Sequence, residues 1–477
     1  MSDTIYSYHN FLFPFRFDKI INSFDDKHDF YKNNSFDQRV IINDKFKAQL
    51  EKNGWNYDKF KVKTNLDYNE MVYFHDFVKD TLYNTQDFKE RATSYYFSKT
   101  LDKDDYFNIN IKDMKDSYKL KLKSVSLRVF DTGVAILSFE LENYNYSNIA
   151  DILKINDFGR RIYPQFLDKE HTNLWTEKTK ESFLADSILV SINGTTFEEN
   201  FDYKNIPQDI QIASYILSIL GDTFTRDKIN QGKYYIQPSI DDRMFVISWY
   251  KNSDIVQTLK NDLYKKSDRW YEYLFIDGNG KTVQSPKMQK KLITEASYDR
   301  WMNYGTLYGM SRYSFVSMSS DSFPLTHMQT MYFQMFTLLL AQRASILRFS
   351  DEVTSLSDID NDELSSKTSS LYKNYIRFVN KLYFREITPQ DQGLEIYNQA
   401  RKILKIDEDI KDLDKEIEEL HNYIEIKQQN KINKNLNRLQ YFGFPLLVLS
   451  FFTGFFGMNI LPQSWIDLLT QFLEKIF

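Results

Sequence analysis

The chain contains no cysteine. That absence alone removes disulfides, thiolate metal sites, iron–sulfur clusters and a cysteine nucleophile. Histidine is scarce too: His9, His28, His75, His171, His327 and His421 are widely separated, and none shows the HxH or HExxH spacing of a zinc site. Positive charge is not in excess. A net charge of -5 and a pI near 5.8 argue against a broadly basic surface, so direct nucleic-acid binding is not expected. The opening residues, Met1-Ser2-Asp3-Thr4, carry neither a basic nor an apolar leader segment. No signal peptide is expected, and the bulk of the chain is assigned to the cytoplasm.

Catalytic motifs are also lacking. Asp131-Thr132-Gly133 spells an aspartic-protease triplet, but it stands alone between two alternating runs, where a tight turn is the better reading. Gly280-Lys281-Thr282 looks like the end of a phosphate-cradling loop, yet the glycine needed five residues earlier is Phe275. Nothing resembles a nucleophile elbow. The chain is read as a non-enzyme.

What is present is a large supply of core side chains: 39 Phe and 33 Tyr in 477 residues, enough for two or three domains. The mean hydropathy of -0.52 fits a mostly globular chain. Residues 1–110 are polar, aromatic and without a clear period, and are read as a peripheral N-terminal region. Residues 111–320 read as an α/β cytoplasmic domain, a mixed and largely antiparallel sheet with helices. Alternation at Val125, Leu127 and Val129 resumes through Ala135, Leu137, Phe139 and Leu141, a hairpin turning at Asp131-Thr132-Gly133. Ser187–Phe197 holds Asn193-Gly194, a second hairpin signal. Arg243–Tyr250 and Trp270–Ile276 read as further strands, with Asp277-Gly278-Asn279-Gly280 closing another hairpin.

Residues 321–440 read as a helical stalk. Ile403, Ile406, Ile410, Leu413, Ile417, Leu420 and Ile424 follow a strict 3-4 heptad spacing, and no Gly or Pro interrupts Leu394–Phe442. A helix continuous from about Gln392 would be on the order of 100 Å long. It must pack on something: an antiparallel partner over roughly Leu364–Ile387, turning near Pro389, or a parallel ring of its own copies. Residues 441–461 read YFGFPLLVLSFFTGFFGMNIL, with no charge in about 21 positions, and predict one C-terminal transmembrane helix. Lys427, Lys431, Lys434 and Arg438 before it place the N-terminal bulk in the cytoplasm of a bacterial inner membrane. Residues 462–477, with Trp465, Ile466, Leu469, Phe472, Leu473 and Ile476 at helical spacing, read as an amphipathic interfacial tail in the lipid bilayer. Asn433, Leu436, Gln440, Gly443, Leu447, Ser450, Gly454 and Met458 fall on one drifting face. Small residues there serve tight helix packing or line a narrow conduit.

The stretch Ser450–Asn459, SFFTGFFGMN, closing an apolar run after a long polar helix, resembles the CorA family of divalent-cation channels, whose signature is Gly-Met-Asn. Gly133–Tyr144 and Tyr332–Ser350 are similar to that family's sheet hairpin and stalk-supporting helix. The resemblance covers about Pro324–Asn459. It implies a homopentameric funnel that takes Mg²⁺ or another divalent cation. Gly457, Met458 and Asn459 would form the ion-selectivity motif, with Asn433, Leu447, Ser450 and Gly454 lining the pore. Some CorA-like proteins accompany type III CRISPR defence and look gated by nucleotide second messengers, which implies such a ligand for the cytoplasmic domain. The family's second membrane helix has no counterpart here, and its acidic regulatory metal sites map onto no residue. A non-conducting, membrane-anchored sensor or antiviral effector on the same scaffold is the alternative.

Overall fold

The structure is a computed structural model that describes residues 4–20, 42–88, 92–111, 115–163, 185–201, 212–227, 232–278, 280–356, 361–457 and 462–474. It divides into two compact units, one ending at Lys415 and the other beginning at Glu416.

In the first unit, fourteen strands among the described residues share one sheet. They are β1 (Ser7–Lys19), β2 (Trp55–Tyr57), β3 (Ser94–Lys99), β4 (Tyr106–Ile111), β5 (Asp116–Phe130), β6 (Val134–Asn143), β7 (Ser187–Ile192), β8 (Thr195–Asn200), β9 (Phe224–Thr225), β10 (Tyr234–Pro238), β11 (Phe245–Lys251), β12 (Ser297–Tyr298), β13 (Thr306–Met310) and β14 (Ser314–Ser319). The main path runs β12-β13-β14-β11-β1-β6-β5-β4-β7-β8. Pairing is antiparallel except for β11 with β14 and β9 with β10.

The centre of this sheet is β1, which corrects the reading of the first 110 residues as peripheral. Its Phe11, Phe13, Phe15 and Phe17 are all buried, as are Leu12 and Pro14 between them, and the proline masks a central strand in the sequence. One long edge of β1 pairs with β6 from Ser7 to Arg16. The other pairs first with β11, from Ser7 to Leu12, then with β10, from Phe15 to Lys19. Pro14 lies in the gap between those two neighbours, where a strand can lack an N–H without breaking a ladder.

The two hairpins legible from alternation and turn residues are present. β5 and β6 join through Asp131-Thr132-Gly133, with Val129 opposite Ala135. β7 and β8 join through Asn193 and Gly194, at φ 50° and 75°. Trp270–Ile276 is not a strand: Trp270–Phe275 falls in the helix Asp268–Phe275, and Ile276 ends it in the left-handed region at φ 55°. Ser267 caps that helix, and Trp270, Tyr273 and Leu274 bury one face at helical spacing. Asn279, in the proposed turn, lies outside the described residues.

The helices that matter below are α1 (Ile149–Gly159), α2 (Asp268–Phe275), α3 (Met331–Leu356), α4 (Asn361–Lys381), α5 (Asp391–Ile403), α6 (Ile406–Gly457) and α7 (Gln463–Leu473). Arg348 on the buried helix α3 donates to the carbonyls of Phe17 (3.0 Å) and Gly133 (2.9 Å), and pairs with Asp18 (2.7 Å) and Glu352 (2.9 Å). Gly133 sits at φ +76°, and a Cβ there would lie 2.7 Å from the Arg348 guanidinium carbon. Thr132 shares a 2.8 Å hydrogen bond with Ser345, and Asp131 pairs with Arg377. The protease-like triplet is therefore the socket that docks the helices on the sheet.

Two stalk expectations are corrected. The long helix is not continuous from Gln392: α5 ends at Ile403 and α6 starts at Ile406, with Lys405 in the left-handed region at φ 58° between them. The heptad spacing reads through this break because Ile403 and Ile406 are three residues apart whether or not the backbone is helical between them. The second correction concerns the membrane. Among the described residues, no helix is long and apolar enough to cross one, which overturns the predicted transmembrane helix and the membrane channel built on it. The charge-free part of α6 runs only from Leu439 to Gly457, about 28 Å against a hydrocarbon core of about 30 Å. Gln440, Gly443, Pro445, Ser450, Thr453 and Gly454 also dilute it. An inner-membrane location gains no support from the described residues.

Candidate functional site

The residues assigned to the ion path lie on α6, within the second unit. Asn433, Leu447, Ser450 and Gly454 are all exposed. At about 100° per residue they fall within an arc of about 100° on one side of the helix. Ser450 Oγ donates to the carbonyl of Leu447 at 2.9 Å, and Thr453 Oγ1 to that of Ser450 at 3.0 Å. Both hydroxyls thus bond back to the turn before them while keeping acceptor capacity. Nothing lies within 4 Å of a Cβ added at Gly443 or Gly454. Gly457 is the last residue of the helix; Met458 and Asn459 lie outside the described residues, as does Ile476 of the tail. α7 carries exposed Trp465, Leu468, Phe472 and Leu473.

The rest of this stretch is unusual for its exposed apolar surface. Tyr441 is 82% exposed and Leu447 70%, and Phe442, Phe444, Leu446 and Phe451 are comparable. An apolar surface of this kind marks an interaction surface. The arc offers amide, hydroxyl and carbonyl oxygens and no charge. One helix brings a single oxygen donor to each level, so it cannot enclose an ion. Among the described residues, no group of three or more His, Asp or Glu side chains could hold a metal ion.

The first unit offers recesses of another kind. Beside the Arg348 socket lies a cavity of about 330 Å³ bordered by Arg16, Arg226, Ser239 and Asp241. Its arginines are spent on the fold: Arg16 bonds Asp18 at 3.1 Å, and Arg226 donates to the Ile236 carbonyl at 2.8 Å. A second recess of about 460 Å³ is aromatic, with Trp301, Tyr304, Phe323, His327 and Tyr332 around Asp321. Burial lowers the affinity of the His327 ring for a proton. A third, of about 420 Å³, is polar and surrounds Arg128. Sequence reasoning passed over Arg128. Its one signal is an arginine in the Ser124-Ser126-Arg128 alternation, on the strand face opposite Val125, Leu127 and Val129.

No family model matches the sequence, and neither the curated proteins nor the solved structures provide a match.

Proposed function

We propose that the chain is a CorA-like protein that takes up Mg²⁺ or another divalent cation within a ring of its long helices, contributed by several copies, and whose sheet unit responds to a small ligand. The observation that supports this reading is the uncharged arc of Asn433, Leu447, Ser450 and Gly454 beside the exposed apolar surface of the same helix. Copies packed through the apolar side chains would set several such arcs face to face and make a girdle of neutral oxygens. Mg²⁺ gives up its water reluctantly, so neutral amide and hydroxyl oxygens suit it as outer contacts. The homopentameric ring and the nucleotide second messenger belong to the CorA resemblance. No covalent step is required.

A second reading keeps the scaffold but not the ion: a sensor or effector that moves no cation. The absence of a crossing helix among the described residues favours it. Native mass of the full chain, followed by melting with and without Mg²⁺, separates the two. The first reading expects a multimer stabilised by Mg²⁺, with the gain reduced in Asn433→Ala and Ser450→Ala. A multimer indifferent to Mg²⁺ supports the second. A monomer indifferent to Mg²⁺ overturns both.

A further inference from the structure

Arg128 projects from β5 into the polar cavity, and its side chain is almost wholly covered, at 4% exposure. Its Nε and Nη1 have no hydrogen-bond partner. It overlies the Tyr96 ring at 5.2 Å, and the Glu70 carboxylate attracts it through space without a hydrogen bond. A guanidinium cannot shed its charge, and a buried cation without a hydrogen-bonded counter-charge is strongly destabilising. Burial indeed pulls its affinity for the proton down. A position that costs stability and serves no visible part of the fold is a candidate for function.

Of the four carboxylates that line the same cavity, three are already engaged, and the fourth, Asp58, is accompanied in the lining by Lys59, Lys61 and Lys63. Glu70 accepts from the Tyr83 hydroxyl at 3.1 Å and from Gln334 Nε2 at 2.9 Å. Asp67 accepts from the backbone N–H groups of Lys63 (2.9 Å) and Thr64 (2.8 Å), closing the cap of the helix Asn65–Val72. Glu140 faces Lys123 at 3.9 Å. The buried charge left without a hydrogen-bonded partner is that of Arg128, which asks for an acceptor, while the neutral Gln334 Oε1 on the same wall can take a hydroxyl from the same ligand. Lys61 and Lys63 stand exposed at the mouth, and the Ser124 and Ser126 hydroxyls line the wall beside Arg128.

We propose that this cavity binds the phosphate group of a small organic phosphate. A doubly charged oxyanion supplies acceptors to Arg128 and countercharge to the lysines of the mouth. The remaining space of the 420 Å³ cavity exceeds what a bare phosphate fills, and Phe60, Tyr96 and Phe333 line it. Those rings favour a ligand with a sugar or aromatic body over the free ion. The proposal stands on the first unit alone and is independent of the divalent-cation reading.

Calorimetric titration of the full chain with AMP, ribose 5-phosphate, inorganic phosphate and adenosine tests it. AMP or ribose 5-phosphate should bind more tightly than inorganic phosphate, and adenosine should not bind. Arg128→Gln should weaken that binding by at least about tenfold, while melting no lower than the parent without ligand, because an unpaired charge has been removed. Lys61→Ala, at the exposed mouth, should weaken it about threefold without touching the fold. Inorganic phosphate binding as tightly as AMP would overturn the organic-phosphate assignment. Adenosine binding as well as AMP, or no heat from any probe at millimolar concentration, would overturn the site. So would unchanged affinity in Lys61→Ala together with an Arg128→Gln chain that no longer folds.

Discussion

The two ends of α6 carry the same kinds of side chain in opposite circumstances. Ile406, Ile410 and Leu413, within the first unit, are buried, whereas Leu439, Leu446 and Leu447, in the second, are exposed. Near the start, Asp, Glu and Lys separate the apolar positions; beyond Arg438 no charge intervenes. A sided helix finds its cover within its own chain, because one apolar stripe needs only one partner surface. A helix with exposed apolar side chains around most of its girth needs cover on most sides, and no described segment supplies it. The contrast teaches that periodicity reports on packing within a chain, and its loss on packing beyond it.

The comparison can be tested first where it should show most. Arg348→Ala removes the buried charge that ties α3 to β1 and the β5–β6 turn. A loss of about 3–5 kcal/mol is expected in chemical denaturation, since Asp18 and Glu352 lose their partner. A loss below about 1 kcal/mol would show that the socket holds less than its geometry implies.

Acid should act on the first unit almost as strongly. Burial pushes His9 down to about 4; its Nδ1 donates to Asn156 on α1 at 2.6 Å, and Nε2 accepts from Ser7 at 2.8 Å. The native state holds this ring neutral while the unfolded chain protonates it near 6.5. Its contribution is therefore present above pH 6.5 and lost as the pH falls through 4, a change of about 3 kcal/mol. Urea melts at neutral and acid pH should show a shallower acid loss in His9→Gln; an unchanged slope would remove His9 as its source.

The smallest effect bears most directly on the two ends of α6. Ile410→Val should lower stability by about 1 kcal/mol. Leu447→Val should leave the melting of the isolated chain unchanged and instead weaken whatever covers that surface. Dilution of the two variants, followed by sedimentation, checks this: if Leu447→Val lowers stability at a concentration where the chain is monomeric, its surroundings are not open.

Legibility in the sequence followed the same division. The β5–β6 and β7–β8 hairpins could be read because their cores alternate and their turns contain Gly133 and Gly194. β1 could not: Leu12 and Pro14 blur the contrast between its four phenylalanines, and a proline argues against a central strand. α2 reads as a strand because eight residues with four aromatics fit either period; the Ser267 cap is the clue. The membrane reading failed on scattered small and polar residues within a run that is otherwise apolar. The cavity left almost no trace, since its Arg128 comes from β5 while Lys61, Tyr96 and Gln334 come from segments far apart in the chain.

The position of β1 has a consequence for how the chain is made. A ribosome completes residues 7–19 before the partners they need, β6, ending at Asn143, and β11, ending at Lys251. Until both emerge, a segment with four alternating phenylalanines has an unmatched edge in the cell. Pairings this distant close slowly and leave nascent chains open to sticking. Slower translation before residue 251, or a holding chaperone bound at Phe11–Phe17, should govern yield more than any contact made later.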